Sequence, residues 1–371
     1  MTVIAQPLAP RPASVTFRSV AFWCLIVLSA FGLWTLKKNS VPVMLSFPAS
    51  AVVDVAVLVL SLAVGLWLAR RIMRPVQAPP WSGTWLALMW GGLGACGVAI
   101  VMNSLLLSAW SQALSLDTAG SWSAALTAPI NEETVKAAGV ALLAAVSSRL
   151  VRSAADGLVY GALIGLAFQV MENFTYGLNE IIVAGGVEPV AATVQVLWIR
   201  ILLTGFGSHW AMTAVAGAGI GYLVSASGRS AARRVGVAAG CLLLAMGMHW
   251  LFDSPLLGGI AGTLAKPLVN FAIVMAVYVV VRRRFRARWN AVADEEIAAG
   301  CLTLEEAQSL SRRRSRRRYL QGFPFGPERG ARERLQRLQL ALLEERVPER
   351  LAPGVAEGWR DAITAERPVP R

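Results

Sequence analysis

The chain has 371 residues, 56% of them hydrophobic and 15% charged, with a formal net charge of +13. Charge is sparse before about position 282 and dense after it, which argues against a soluble globular domain and for a polytopic membrane protein with a charged tail. Of the 35 basic residues 31 are arginine, read here as loops and tail facing a membrane surface; the four scattered cysteines argue against a disulfide framework or a Cys-rich zinc site.

Residues 1–19 are polar and are expected to form a cytoplasmic N-terminal segment. An apolar run at 20–36 follows, bounded by Lys37 and Lys38, and reads as an uncleaved first span. Hydropathy predicts an all-α membrane bundle of about eight spans, at 20–36, 50–69, 84–107, 127–147, 157–178, 200–225, 236–252 and 264–281. Arginines cluster after spans two, four, six and eight, so the positive-inside rule places both termini in the cytoplasm of a multi-pass cell-membrane protein. The loop 108–126, with Trp110 and Trp122, is expected along the outer interface. Asp156 is a plausible helix cap for span five. Residues 191–204 read as a short amphipathic helix leading into span six.

The tail, 282–371, is basic. It holds SRRRSRRRYL at 311–320, a linker with Pro324 and Pro327, and a predicted helix at 329–346. The expectation is a solvated helical tail beside the membrane, its arginines attracted to anionic lipid, with no nucleic acid as partner.

Six ionisable residues of the apolar segments stand out, accompanied by Lys136. Glu132 and Glu133 open span four, with Lys136 one turn on. Glu172, followed by Asn173, ends span five. His209 lies near the start of span six, and His249 and Asp253 close span seven. His209 and His249 are the chain's two histidines. Ionisable groups inside a bilayer are costly, rare and tend to be functional. Alternating span direction brings all six to one level in the outer half of the membrane, within one or two turns of the surface. Each also has a plain structural reading: Lys136 as neutraliser of Glu132, Glu172 as a helix–helix hydrogen bonder, each histidine as a packed residue, Asp253 as a helix end. Arg200 and Asn103 are weaker candidates and are left out of the set.

Carboxylates in a partly dry site exchange protons near neutral pH, and with two histidines they are able to position and activate water. Two histidines and a carboxylate also form a zinc-ligand set. No HExxH is present, which excludes the usual soluble metalloprotease arrangement. Buried Glu, His and Lys also mark ion paths, so a proton- or ion-coupled transporter is the alternative; it needs polar residues at several depths.

Residues 127–255 resemble the PrsW-type intramembrane proteases, which look distantly related to the CAAX-prenyl endopeptidase group. The resemblance rests on Glu132-Glu133-x-x-Lys136 preceded by Pro129, on Phe168-x-x-x-Glu172-Asn173, on His209 before a Gly-rich helix, and on His249-x-x-x-Asp253. It implies an intramembrane endopeptidase, with a catalytic core at about 127–255, that cuts a membrane-anchored protein near the extracytoplasmic face; the named member of the family acts on an anti-sigma factor. Carried over by position, Glu132 and Glu133 activate water. Glu172, His209 and His249 bind a metal such as zinc or orient the water and oxyanion, and Asp253, Lys136 and Asn173 support them. A metal-free, glutamate-activated mechanism is equally compatible with these residues.

Overall fold

The computed structural model describes residues 17–348 and 354–367; residues 1–16 of the expected N-terminal segment lie outside them. The described residues are helical, with no strand. Among the described residues six helices are long and apolar enough to cross a membrane: α1 (Val20–Ser46), α2 (Pro48–Leu68) with a wider π turn to Met73, α3 (Trp81–Met89) continued by α4 (Cys96–Ala113), α6 (Ala154–Val183), α9 (Ala231–Asp253) and α10 (Gly259–Ala298). A seventh is a bent pair, α7 (Pro189–Trp198) and α8 (His209–Ser225), whose two arms meet at 47°.

The expected fourth span, 127–147, lies in α5 (Leu116–Val146), 31 residues and about 46 Å long at 1.5 Å per residue. It is not among the helices that pass the same apolar test, and it carries Glu132, Glu133 and Lys136. Two further expectations change here. The loop at 108–126 is mostly helix, because Ser115 caps α5 by accepting from the Thr118 amide at 3.3 Å. Span six is not continuous, for the chain breaks at Thr204–Ser208 around Gly205 and Gly207.

α6 is the centre of the bundle. Its apolar window is 83% buried, against 17% for α2, α9 and α10, so it is enclosed by protein rather than lipid. It lies against α8 at backbone distance, as small residues permit in membranes. A Cβ added to Gly161 would sit 2.2 Å from the Thr213 carbonyl oxygen, and one on Gly165 2.3 Å from that of His209. This register sets the backbone of His209 beside Gly165, two helical turns along α6 from Glu172, from where its ring reaches that carboxylate. α5 is held from the other side by Trp90, which is 2% exposed and donates through Nε1 to the Val135 carbonyl at 3.0 Å.

α6 begins with Ser153 rather than Asp156 as its cap; the Ser153 hydroxyl accepts from the Asp156 amide at 3.1 Å. Asp156 is drawn instead to Arg74, 2.7 Å away, because a buried carboxylate needs a counter-charge more than a helix needs a second cap.

The tail is not a solvated appendage. α10 continues unbroken for 40 residues, and α11 (Leu304–Leu310), α12 (Arg313–Gln321), α13 (Pro327–Arg346) and α14 (Val355–Glu366) fold back along it. Phe285, Trp289, Leu310, Leu340 and Leu343 make an apolar core that includes Val76 and Ala155 of the bundle. Glu344 of α13 then enters the bundle end, 2.5 Å from Arg74 and 2.9 Å from Arg152.

Two outcomes follow from this packing. Gly161→Val is expected to lower stability by about 1–3 kcal/mol through overpacking, whereas Gly120→Val, where a Cβ meets nothing within 4 Å, is expected to change it little; thermal unfolding in detergent compares them. Glu344→Ala leaves Arg74 and Arg152 short of a buried partner and is expected to cost about 3–5 kcal/mol at that contact. Faster protease cleavage of the tail than in wild type is the measurement; unchanged cleavage would refute the docking role.

Candidate active site

Helical spacing alone puts Glu132 and Glu133 within reach of Lys136. All three are buried, and Lys136 and Glu133 have no exposure at all. The Lys136 ammonium lies 2.6 Å from Glu133 Oε1 and 3.4 Å from Glu132 Oε2. Its third neighbour is His209 Nδ1 at 3.0 Å. An ammonium has three N–H groups, and here each has an acceptor. The Phe168 ring packs 4.3 Å beneath the same nitrogen. Lys136 therefore joins α5 to α8 as well as neutralising a carboxylate.

His209 is the first residue of α8, immediately after the break, and its amide donates to the Ser208 hydroxyl at 2.6 Å. Asn270 of α10 braces the break by donating to the Gly207 carbonyl at 3.1 Å, and to that of Met248 at 3.1 Å. The second ring nitrogen of His209, Nε2, is 2.8 Å from Glu172 Oε2. Glu172 is in turn paired with Arg200, whose Nε donates to Asn173 Oδ1 at 2.7 Å and whose guanidinium stacks 3.8 Å over the Tyr176 ring. On α9, His249 Nδ1 is 3.0 Å from Glu133 Oε1 and Nε2 is 3.3 Å from Asp253 Oδ2. The two imidazoles meet edge to face, 5.0 Å between centroids.

Glu132 lies between them. Its Oε2 is 3.8 Å from His209 Nδ1 and 3.8 Å from His249 Nε2, while Oε1 accepts from Asn103 at 2.8 Å. A cavity of about 490 Å³ opens onto Glu132, Glu172, Arg200, His209, His249 and Asp253. Glu133 and Lys136 are not part of its lining; they stand behind it.

All six residues singled out from sequence thus gather in one place, from α5, α6, α8 and α9. The donor group compact enough for a metal is Glu132, His209 and His249, with one ligand atom from each within 4.8 Å of the others. The expected set had Glu172 in the place of Glu132; Glu172 here is engaged by Arg200. Arg200 and Asn103, left out at first, both touch the site. Arg200 is the one charge between residues 189 and 208, a signal of the kind that selected the other six.

The donor chemistry fits a catalytic metal: two imidazole nitrogens and a carboxylate oxygen beside an open cavity. Behind each imidazole stands a second carboxylate, Glu133 on His249 and Glu172 on His209. That fixes each ring so that its other nitrogen faces Glu132, although Asp253 also reaches that nitrogen of His249. Lys136 contests one of these positions, at His209 Nδ1.

No curated protein and no solved structure matches the chain. A family described as "PrsW family intramembrane metalloprotease" matches residues 79–282, which hold α3 to α9, the bundle part of α10 and every side chain of the site. Its extent, over half of the chain, agrees with the charge-lined cavity inside an apolar bundle: this multi-pass membrane protein belongs to the PrsW family of intramembrane metalloproteases, a family of peptide hydrolases.

Proposed function

We propose that the chain is an endopeptidase that cuts a membrane-anchored protein near the extracytoplasmic face of the cell membrane, with Glu132, His209 and His249 as its reactive group. The observation that carries this reading is the placement of those three donors together on the wall of one cavity. The arginine-rich connections lie at the other end of the bundle and are read as cytoplasmic, with both termini. A membrane-anchored regulator of the anti-sigma type is the substrate class that the family resemblance favours.

Glu132 is the group placed to take a proton from water in the cavity. Water oxygen adds to the peptide carbonyl carbon, Glu132 holds the proton, and it returns that proton to the amide nitrogen as the C–N bond breaks. Glu133 does not reach the cavity; it holds His249 and Lys136 in register. Glu172, steadied by Arg200, does the same for His209. Glu132, His209 and His249 are also the group that would hold zinc; with the ion bound Glu132 would serve as its ligand rather than as the base, and the ion would supply the more acidic water and the polarised carbonyl.

Glu132→Gln is expected to lower cleavage by about 10²–10⁴-fold with the fold retained. New protein N-termini in membranes of cells carrying the wild type or this variant are the readout, and identical sets would end the proposal. Glu133→Gln and Arg200→Gln act one shell further out and are expected to cost about 10–100-fold. Purified wild type is expected to retain about one zinc per chain and His249→Ala to lose it, as measured by elemental analysis; equal metal in both would remove zinc from these residues.

A further inference from the structure

At the end of the bundle away from the cavity, arginines from three elements are gathered on one seam. Asp156 marks this end of α6 and lies sixteen residues, about 24 Å, before Glu172. The turn after α2 supplies Arg71, α10 supplies Arg282 and Arg286, and Arg312, Arg313 and Arg316 come from α12 and the residue before it. The backbone of the turn ties them together. Tyr278 Oη and Arg282 donate to the Ile72 carbonyl at 3.1 and 3.4 Å. Arg313 donates to the Arg70 carbonyl at 3.4 Å, and Arg316 to that of Val76 at 3.0 Å. Arg286 is repelled by Arg282 and Arg312, and Arg313 by Arg71 and Arg74.

None of these six forms a close ion pair with a carboxylate among the described residues, although Glu344 attracts Arg316 from a distance. The nearby acids, Asp156 and Glu344, are engaged by Arg74 and Arg152. Elsewhere in the tail arginine does find acids: Arg346 and Arg360 on Glu296, Arg367 on Glu306, Arg334 on Glu366. What sets the seam apart is that its arginines come from three elements and are tied across them by the carbonyls of Arg70, Ile72 and Val76. Trp81 and Trp85 mark the depth of that seam. Both are more than half exposed, at 53% and 60%, their rings stack at 6.0 Å, and Arg70 lies 3.6 Å over Trp81. Exposed indoles of this kind sit at headgroup level.

We infer that this seam binds the phosphodiester headgroup of an anionic glycerophospholipid, which bridges Arg71 of the bundle, Arg286 of α10 and Arg312 of the tail. Guanidinium groups match phosphate oxygens two at a time, and arginines just outside a span draw anionic lipid. Because the seam joins tail to bundle, a bound headgroup relieves the repulsion and fastens the two.

The test uses the full chain in neutral detergent, titrated with dioleoyl phosphatidylglycerol or dioleoyl phosphatidylcholine and followed by native mass spectrometry and thermal unfolding. Phosphatidylglycerol is expected to bind about tenfold more tightly and to raise the unfolding midpoint. Arg286→Gln with Arg312→Gln is expected to abolish the preference. Arg334→Gln with Arg337→Gln removes the same charge from exposed surface pairs on α13 and is expected to keep it. Arg286→Lys with Arg312→Lys, which keeps the charge, is expected to retain most binding and controls for misfolding. Equal binding of the two lipids, or equal loss in both glutamine doubles, would overturn the inference. Displacement of phosphatidylglycerol by glycerol 3-phosphate or by a short single-stranded RNA would overturn it as well, in favour of a soluble polyanion.

Discussion

The ammonium of Lys136 imposes the strictest condition on this fold. It is wholly buried in an apolar bundle, where an unpaired charge is prohibitive. Its three acceptors come from α5 and α8. Glu133, once held by Lys136, reaches His249 on α9, and His209 reaches Glu172 on α6. One chain of charge-assisted contacts thus runs through four helices. Mutual satisfaction explains how so many ionisable groups persist where lipid and apolar side chains would expel any one of them.

The same chain places two neighbouring carboxylates in different surroundings. Adjacent residues on a helix point about 100° apart, so α5 cannot aim both at one space. Glu132 faces the cavity with both imidazoles beside it, and Glu133 faces the packed interior with Thr213 at 3.3 Å and Lys136. Each imidazole accordingly has a carboxylate behind it and Glu132 in front. That difference in surroundings leaves Glu132 facing the cavity and Glu133 within the packing.

Much of this was legible from residue order. Glu132, Glu133, Lys136, Glu172, His209, His249 and Asp253 stand out because ionisable groups in apolar runs are few, and counting alternate span directions brings them to one level. The rotation of α5 was not legible, since hydropathy is silent on which of two adjacent glutamates faces a void. The pairing of Arg200 with Glu172 is not legible either, since a window average smooths the break at Thr204–Ser208 into one continuous span. The docked tail was hidden for a different reason. Arg74 and Glu344 are 270 positions apart, and nothing local to either announces the other. A run of arginines looks solvated until the apolar stripe of Phe285, Trp289, Leu340 and Leu343 is seen to have somewhere to go.

α10 has a consequence of its own. Near one end Asn270 grips the carbonyls of Gly207 and Met248, two residues before His209 and one before His249. Nineteen residues on, about 29 Å along an uninterrupted helix, Trp289 is embedded in the nucleus of the tail. One stiff rod is therefore anchored at both ends, in chemistry at one and in a folded appendage at the other. Sliding or tilting of that rod acts on both anchorages together, so the geometry around the histidines and the seating of the tail are a single mechanical variable.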